Sequence, residues 1–152
     1  MKIEYRKGNM FDTDIKVLAH GCNSHGVMGS GVARIVRDDY PEAYKVYVDV
    51  VKAAAYEVLD LMGTIIPVET KGKVIINAIT QHDYGRDGKR YVSYDAVSDA
   101  MRELNTYCAI WAEVTQVAMP QIGAGLGGGD WNVIEAIILS ELTDVQPVVY
   151  IL

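Results

Sequence analysis

Short apolar runs alternate with amphipathic stretches along this chain, and that alternation predicts its elements. Ile3 to Arg6 alternates bulk and charge, as an opening strand does. Lys16-Val17-Leu18-Ala19 is an apolar run that predicts a second strand. Val32 to Val36 begins a short helix, which the Asp38-Asp39-Tyr40-Pro41 stretch interrupts. Pro41 suits the first turn of another helix, from Glu42 to about Ala54. Gly63 to Val68 and Lys73 to Ile79 predict two strands joined by a turn at Lys71-Gly72. Ser93 can cap a helix from Tyr94 to about Ala109, with Ala96, Val97, Ala100, Met101, Leu104 and Cys108 on one face. Thr115 to Met119 reads as a buried strand, Trp131 to Leu142 as a helix and Pro147 to Leu152 as a closing strand. The polar segment from His82 to Arg90 predicts a mobile loop. No internal repeat, low-complexity tract or linker divides the chain, so one domain over residues 1–152 is expected.

Strands alternating with helices, several of them continuous apolar runs, predict an α/β fold with a largely parallel sheet covered on both faces. In such a fold ligands bind beyond the carboxyl ends of the strands. Two glycine-rich segments leave strand ends of this kind. The first runs from His20 through Gly21, Gly26, Gly29 and Gly31 to Ala33, and the second from Met119 through Gly123, Gly125 and Gly127 to Trp131. Glycine lets the backbone approach a ligand closely, and successive N–H groups at a helix start attract anions. Two such loops suit a ligand with more than one phosphate or ribose to hold.

Charge narrows the partners. The chain of 152 residues, half of them hydrophobic, carries 14 basic and 20 acidic residues, a net charge of −6. Duplex nucleic acid is therefore not an expected partner, because a DNA binder presents a basic face to phosphates. A phosphorylated small molecule held by loop amides remains compatible with this balance, which also predicts a monomer. Cys22 and Cys108 lie in no metal-ligand pattern and read as free thiols of a reducing compartment. The opening residues contain no apolar signal region, and no stretch approaches the ~18 apolar residues that span a bilayer. A cytoplasmic protein that does not enter the membrane is expected.

At this point the motifs are familiar. Gly8-Asn9-Met10, Ala19-His20-Gly21-Cys22-Asn23, Gly29-Ser30-Gly31-Val32-Ala33, Met119-Pro120-Gln121-Ile122-Gly123-Ala124-Gly125-Leu126 and the closing Val149-Tyr150-Ile151-Leu152 together resemble a macro domain over essentially the whole chain. The resemblance is closest to the compact branch holding ADP-ribose-1″-phosphate phosphatases and terminal ADP-ribose–protein hydrolases, phage-encoded members among them. It implies a three-layer α/β/α sandwich with a mixed, largely parallel sheet, and ADP-ribose or ADP-ribose-1″-phosphate as ligand. Carried over by position, Asn9 replaces the family's adenine-contacting aspartate, and the Met10 backbone lies against the same base. Asn23 reaches the distal ribose. Gly29, Ser30, Gly31 and Val32 form one phosphate loop, and Ile122, Gly123, Ala124, Gly125, Leu126 and Gly127 the other. Tyr150 and Leu152 flank the adenine, with Tyr150 open to the alternative of a buried strand residue.

The branch's glutamate-linked hydrolases use a lysine where Gln81 stands and an aspartate where Gly127 stands. Glutamine cannot form the covalent sugar adduct that a lysine amine can, so the resemblance favours the phosphatase. Its candidate catalytic residues are His25, as a general acid or base near the distal ribose, Asn23, which positions that ribose, and Asp130, which would orient water. Capping of the following helix is the competing role for Asp130. His20 reads as a structural hydrogen-bonder and His82 as a solvated loop residue. No metal cluster is apparent and no cofactor is implied, so a metal-independent reaction is expected. The alternatives are a non-catalytic ADP-ribose reader and a hydrolase removing ADP-ribose from macromolecules.

Overall fold

The computed structural model describes residues 2–111 and 113–152. Among the described residues, six strands and four helices follow one another as β1 (Glu4–Lys7), β2 (Val17–Asn23), α1 (Gly31–Asp39), α2 (Pro41–Tyr56), β3 (Ile65–Thr70), β4 (Lys73–Gln81), α3 (Tyr94–Ile110), β5 (Gln116–Met119), α4 (Trp131–Glu141) and β6 (Gln146–Ile151). A 3-10 turn, Met10–Asp12, follows β1. The sheet order is β1-β6-β5-β2-β4-β3, with every neighbouring pair parallel except β3 and β4. The sheet is thus mixed and largely parallel, and it lies between two layers of helix.

Alternation along the strands divides the core. Leu18 and Cys22 of β2, with Ile75 and Ile79 of β4, face α1 and α2 and pack with Val36, Ala43, Tyr47 and Val51. Val17, Ala19, Ile76, Val117, Met119 and Val149 face the other way, against Val97, Met101 and Leu104 of α3 and Ile134 and Ile138 of α4. The period of two along a strand sends adjacent residues to opposite layers. The β3–β4 hairpin turns at Lys71 (φ 52°) and Gly72 (φ 75°), the two left-handed residues that a tight twisted hairpin needs. Tyr40 separates α1 from α2, and Pro41 opens the latter, where its missing N–H costs nothing.

One boundary differs from the sequence expectation in a way that matters. The apolar run ends at Ala19, yet β2 continues through His20, Gly21, Cys22 and Asn23. These residues pair with Asn77, Ala78, Ile79 and Gln81 of β4. Their backbone groups are thereby satisfied inside the sheet, so a segment that reads as loop by composition becomes strand. The first glycine segment begins as the end of a central strand and only then leaves the sheet.

Candidate functional site

The parallel strands β5, β2 and β4 end on one edge of the sheet, and the loops leaving them enclose a cavity of about 750 Å³. Its lining comes from the end of β2 with Val27 and residues 29–33, from Thr80 and Gln81 with residues 84–86, and from residues 120–127. Gly29, Ser30, Gly31, Val32, Asn23, Ile122, Gly123, Ala124, Gly125, Leu126 and Gly127, all expected at a ligand site, are brought together here. No carboxylate is among the described lining residues, and Arg86 is their one fixed charge. The positive end of α1 and a ring of glycine backbone make this a setting for anions.

The second loop is braced by its own backbone. Gly129 N–H donates to the Gly123 carbonyl at 2.7 Å and Gly128 N–H to that of Gly125 at 3.0 Å. The Gly127 carbonyl accepts from both Tyr91 (2.7 Å) and Val92 (3.0 Å), which ties residues 91–92 to this loop. Gly123 has a φ of 76°, and a Cβ there would lie 2.7 Å from Val92 Cγ2, so both conformation and space require glycine.

Asn23 anchors the first loop. Buried at 7 % exposure, it accepts through Oδ1 from the N–H groups of His25 (3.0 Å) and Val27 (3.3 Å). Its Nδ2 donates to the Val27 carbonyl at 2.8 Å. Tyr47 of α2, fully buried, donates its hydroxyl to the Asn23 carbonyl at 2.5 Å, so the helix layer reaches through to fix the loop. These bonds use one of the two Asn23 amide protons, and Asn23 is among the residues that line the cavity.

Beneath the loops lies a buried polar group that sequence reasoning read only in part. His20 Nε2 stands 2.7 Å from Asn77 Oδ1. Asn77 Nδ2 donates to the carbonyls of Ala43 and Ile66, both at 3.3 Å, so Oδ1 must be the acceptor and His20 carries its proton on Nε2. Burial lowers the His20 pKa to about 4 despite this hydrogen bond, and burial likewise pushes the Cys22 thiol up. The cavity floor is therefore neutral. Thr80 Oγ1 is buried there without a hydrogen-bond partner, and a Cβ on Gly21 would come within 2.9 Å of it. No local pattern announces Thr80, because its role comes from the pairing of β2 with β4.

Several expected site residues stand elsewhere. Asn9 is exposed and accepts from Phe11 N–H at 2.9 Å as the cap of the 3-10 turn, while Met10 is buried in the core. Tyr150 is a half-buried residue of β6 that donates to Thr13 Oγ1 at 2.8 Å and accepts from Arg6 at 3.2 Å. Leu152 is fully exposed. These four gather at the β1–β6 flank and do not line the cavity. Asp130 caps α4, accepting from Asn132 N–H at 2.9 Å, and is outside the lining too.

His25 also lies outside the lining. Its Nε2 meets Asp83 Oδ1 at 2.9 Å, and its ring is 4.8 Å from that of His82 and 6.1 Å from that of Tyr84. No metal cluster is apparent from residue spacing, yet in the structure one ligand atom from each of His25, His82 and Asp83 lies within 4.8 Å of the other two. The grouping was hidden by a separation of 58 residues between its two segments.

Similarity to known proteins points the same way as the cavity. A family model described as Macro domain matches residues 19–138. The 17.5 kDa protein of the tk-vs intergenic region of Enterobacteria phage T4 is 33% identical over 146 residues, covering 91% of this chain and 88% of that protein. A Candida albicans protein named ADP-ribose 1″-phosphate phosphatase is 27% identical over 160 residues and 99% of each chain. A Mycobacterium tuberculosis protein named DNA ADP-ribosyl glycohydrolase is 30% identical over 97% of this chain, which spans 42% of that protein. Among solved structures, the macrodomain of Mycobacterium tuberculosis DarG superposes with a TM-score of 0.82 at 27% identity, covering 97% of this chain and 96% of that one.

Proposed function

This chain belongs to the macro domain family, and from that premise we propose that residues 1–152 form one macro domain that binds ADP-ribose and hydrolyses ADP-ribose 1″-phosphate to ADP-ribose and phosphate. The observation that carries this reading is the single cavity into which both glycine loops fall, with no carboxylate in its described lining. Its volume suits a nucleotide-sized ligand. The amides of residues 29–32 and 123–127 would hold the phosphates, Asn23 would place the distal ribose through its remaining amide proton, and Arg86 would offset the charge of the terminal phosphate. The relative named as a phosphatase, matched end to end, supports this substrate.

In the reaction, water adds to phosphorus, the bond from phosphorus to the sugar oxygen breaks, and that oxygen takes up a proton. Loop amides stabilise the charge on the phosphoryl oxygens. His25, oriented by Asp83, is the residue we assign to proton transfer at the cavity mouth. Asp130 serves by capping α4, which holds the second loop in place, rather than by handling protons.

A glycohydrolase reading is favoured by the mycobacterial relative's name, but Gln81 and Gly127 occupy the positions where the resemblance implies a lysine and an aspartate. The deciding experiment is phosphate release from ADP-ribose 1″-phosphate by purified protein in chelator, with ADP-ribose binding measured by calorimetry. Release that His25→Ala reduces supports the assignment. Binding without release leaves a reader of ADP-ribose, and absence of binding at millimolar ligand refutes the cavity as the site.

A further inference from the structure

We propose that His25, His82 and Asp83 form a binding site for a divalent transition metal of the zinc class at the lip of the cavity. Two imidazoles and one carboxylate are a three-donor set that zinc takes with water in the fourth position. His25 comes from the loop after β2, and His82 and Asp83 directly follow β4. Pairing of these two strands, continued by the Ser24 N–H to Gln81 carbonyl bond at 3.0 Å, brings the two segments together. Donors around a tetrahedral zinc stand roughly 3.3–3.5 Å apart, given bonds of about 2.0–2.2 Å. The His25 to Asp83 distance of 2.9 Å and the 4.8 Å limit for the whole set bracket that spacing. All three side chains are exposed, so rotation can close them on an ion.

The surroundings of His82 are those of a metal ligand. Ser24 Oγ sits against His82 Nδ1 and also lies 3.4 Å from the His82 carbonyl. When the serine proton goes to that carbonyl, Oγ accepts from Nδ1–H, and the Nε2 lone pair is left for the metal. A second partner that fixes tautomer and ring orientation in this way accompanies metal-bound histidines. A protein of net charge −6 also attracts cations to its surface.

The site stands on the geometry of these side chains; only its effect on phosphate release rests on the reaction proposed above. An ion here takes the place of the proton between His25 and Asp83, so His25 becomes a ligand and no longer carries protons. The metal-free protein is then the form that performs metal-independent phosphate release, and the ion suppresses it.

The test uses the untagged full chain, stripped with chelator, titrated with zinc by calorimetry and with cobalt(II) by visible absorption. One saturable equivalent is expected, with the intense visible bands of four-coordinate cobalt. His82→Ala and Asp83→Ala should each weaken binding at least about tenfold, and Ser24→Ala about tenfold, the loss usual for a ligand-orienting partner. Both cysteines are buried and offer no competing ligand. Circular dichroism and Tm checks that the variants stay folded. Absence of saturable binding, or affinity unchanged in folded His82→Ala, overturns the assignment.

Discussion

The buried His20 makes stability depend on pH in a window set by this one residue. Its pKa is about 4 in the folded protein against 6.5 in the open chain, because burial disfavours the charged ring. Well above pH 6.5 neither state is protonated and the fold has its full stability. As pH falls below 6.5 the unfolded chain binds a proton that the folded one refuses, so stability drops until the folded ring also titrates near pH 4. The full loss is about 3 kcal/mol, and about 2 kcal/mol of it falls between pH 7 and pH 5. The control is His20→Gln, whose side-chain amide can still donate to Asn77 Oδ1 but does not titrate. Urea unfolding of both proteins at pH 7 and pH 5 isolates the residue, since every other group contributes equally to the two. The stability difference between wild type and His20→Gln should shift by about 2 kcal/mol against wild type at the lower pH. A difference that stays constant within error, or an NMR titration of His20 near pH 6.5, refutes the neutral floor.

Two further outcomes separate binding from folding. A Cβ on Gly125 meets nothing within 4 Å, so Gly125→Leu should keep the wild-type Tm while abolishing ADP-ribose binding by filling the loop's open side; retained affinity in calorimetry would put the ligand elsewhere. Asp130→Ala should cost about 1 kcal/mol in urea unfolding through loss of the α4 cap, whereas Asp130→Asn should keep both stability and phosphate release; a stable Asp130→Asn that no longer releases phosphate would return the carboxylate to the chemistry.

The elements and the layers were legible because each announces itself locally. Ser93 does cap α3, accepting from Ala96 N–H at 3.1 Å, and the six apolar positions expected on its inner face are all buried. Both glycine loops could be placed at strand ends from composition and order alone. What escaped was whatever depends on a partner strand. His20 to Asn23 look like loop because nothing in the segment reveals that β4 supplies its hydrogen bonds. Thr80 reaches the cavity, and the His25–His82–Asp83 group assembles beside it, only through the β2–β4 pairing. The flank residues Asn9, Met10, Tyr150 and Leu152 were carried by resemblance; the side chain of Asn9 forms a cap, that of Met10 enters the core and that of Tyr150 bonds with Thr13 and Arg6.

Gly127 shows where a sequence difference and a steric limit meet. Position 127 departs from the aspartate that the resemblance implies for hydrolases, and the loop geometry leaves no room to restore it. A Cβ there would stand 2.8 Å from the Gly123 carbonyl oxygen, which is held by the Gly129 N–H, and 3.1 Å from Gln81 Oε1. The Gln81 side chain can rotate, although its Nε2 is tied to the Asp83 carbonyl at 2.8 Å, but the backbone oxygen can move only if the whole turn does. Overpacking of this kind costs about 1–3 kcal/mol, a fall in Tm of roughly 2–12 °C for a chain of this length. Gly127→Asp, alone or with Gln81→Lys, should therefore lower Tm and weaken ADP-ribose binding without creating a glycohydrolase. Thermal unfolding and release of ADP-ribose from a glutamate-linked substrate test both halves. A doubly substituted protein with wild-type Tm and new hydrolysis would mean that the loop tolerates a side chain, and that its glycine marks lost chemistry rather than a packing requirement.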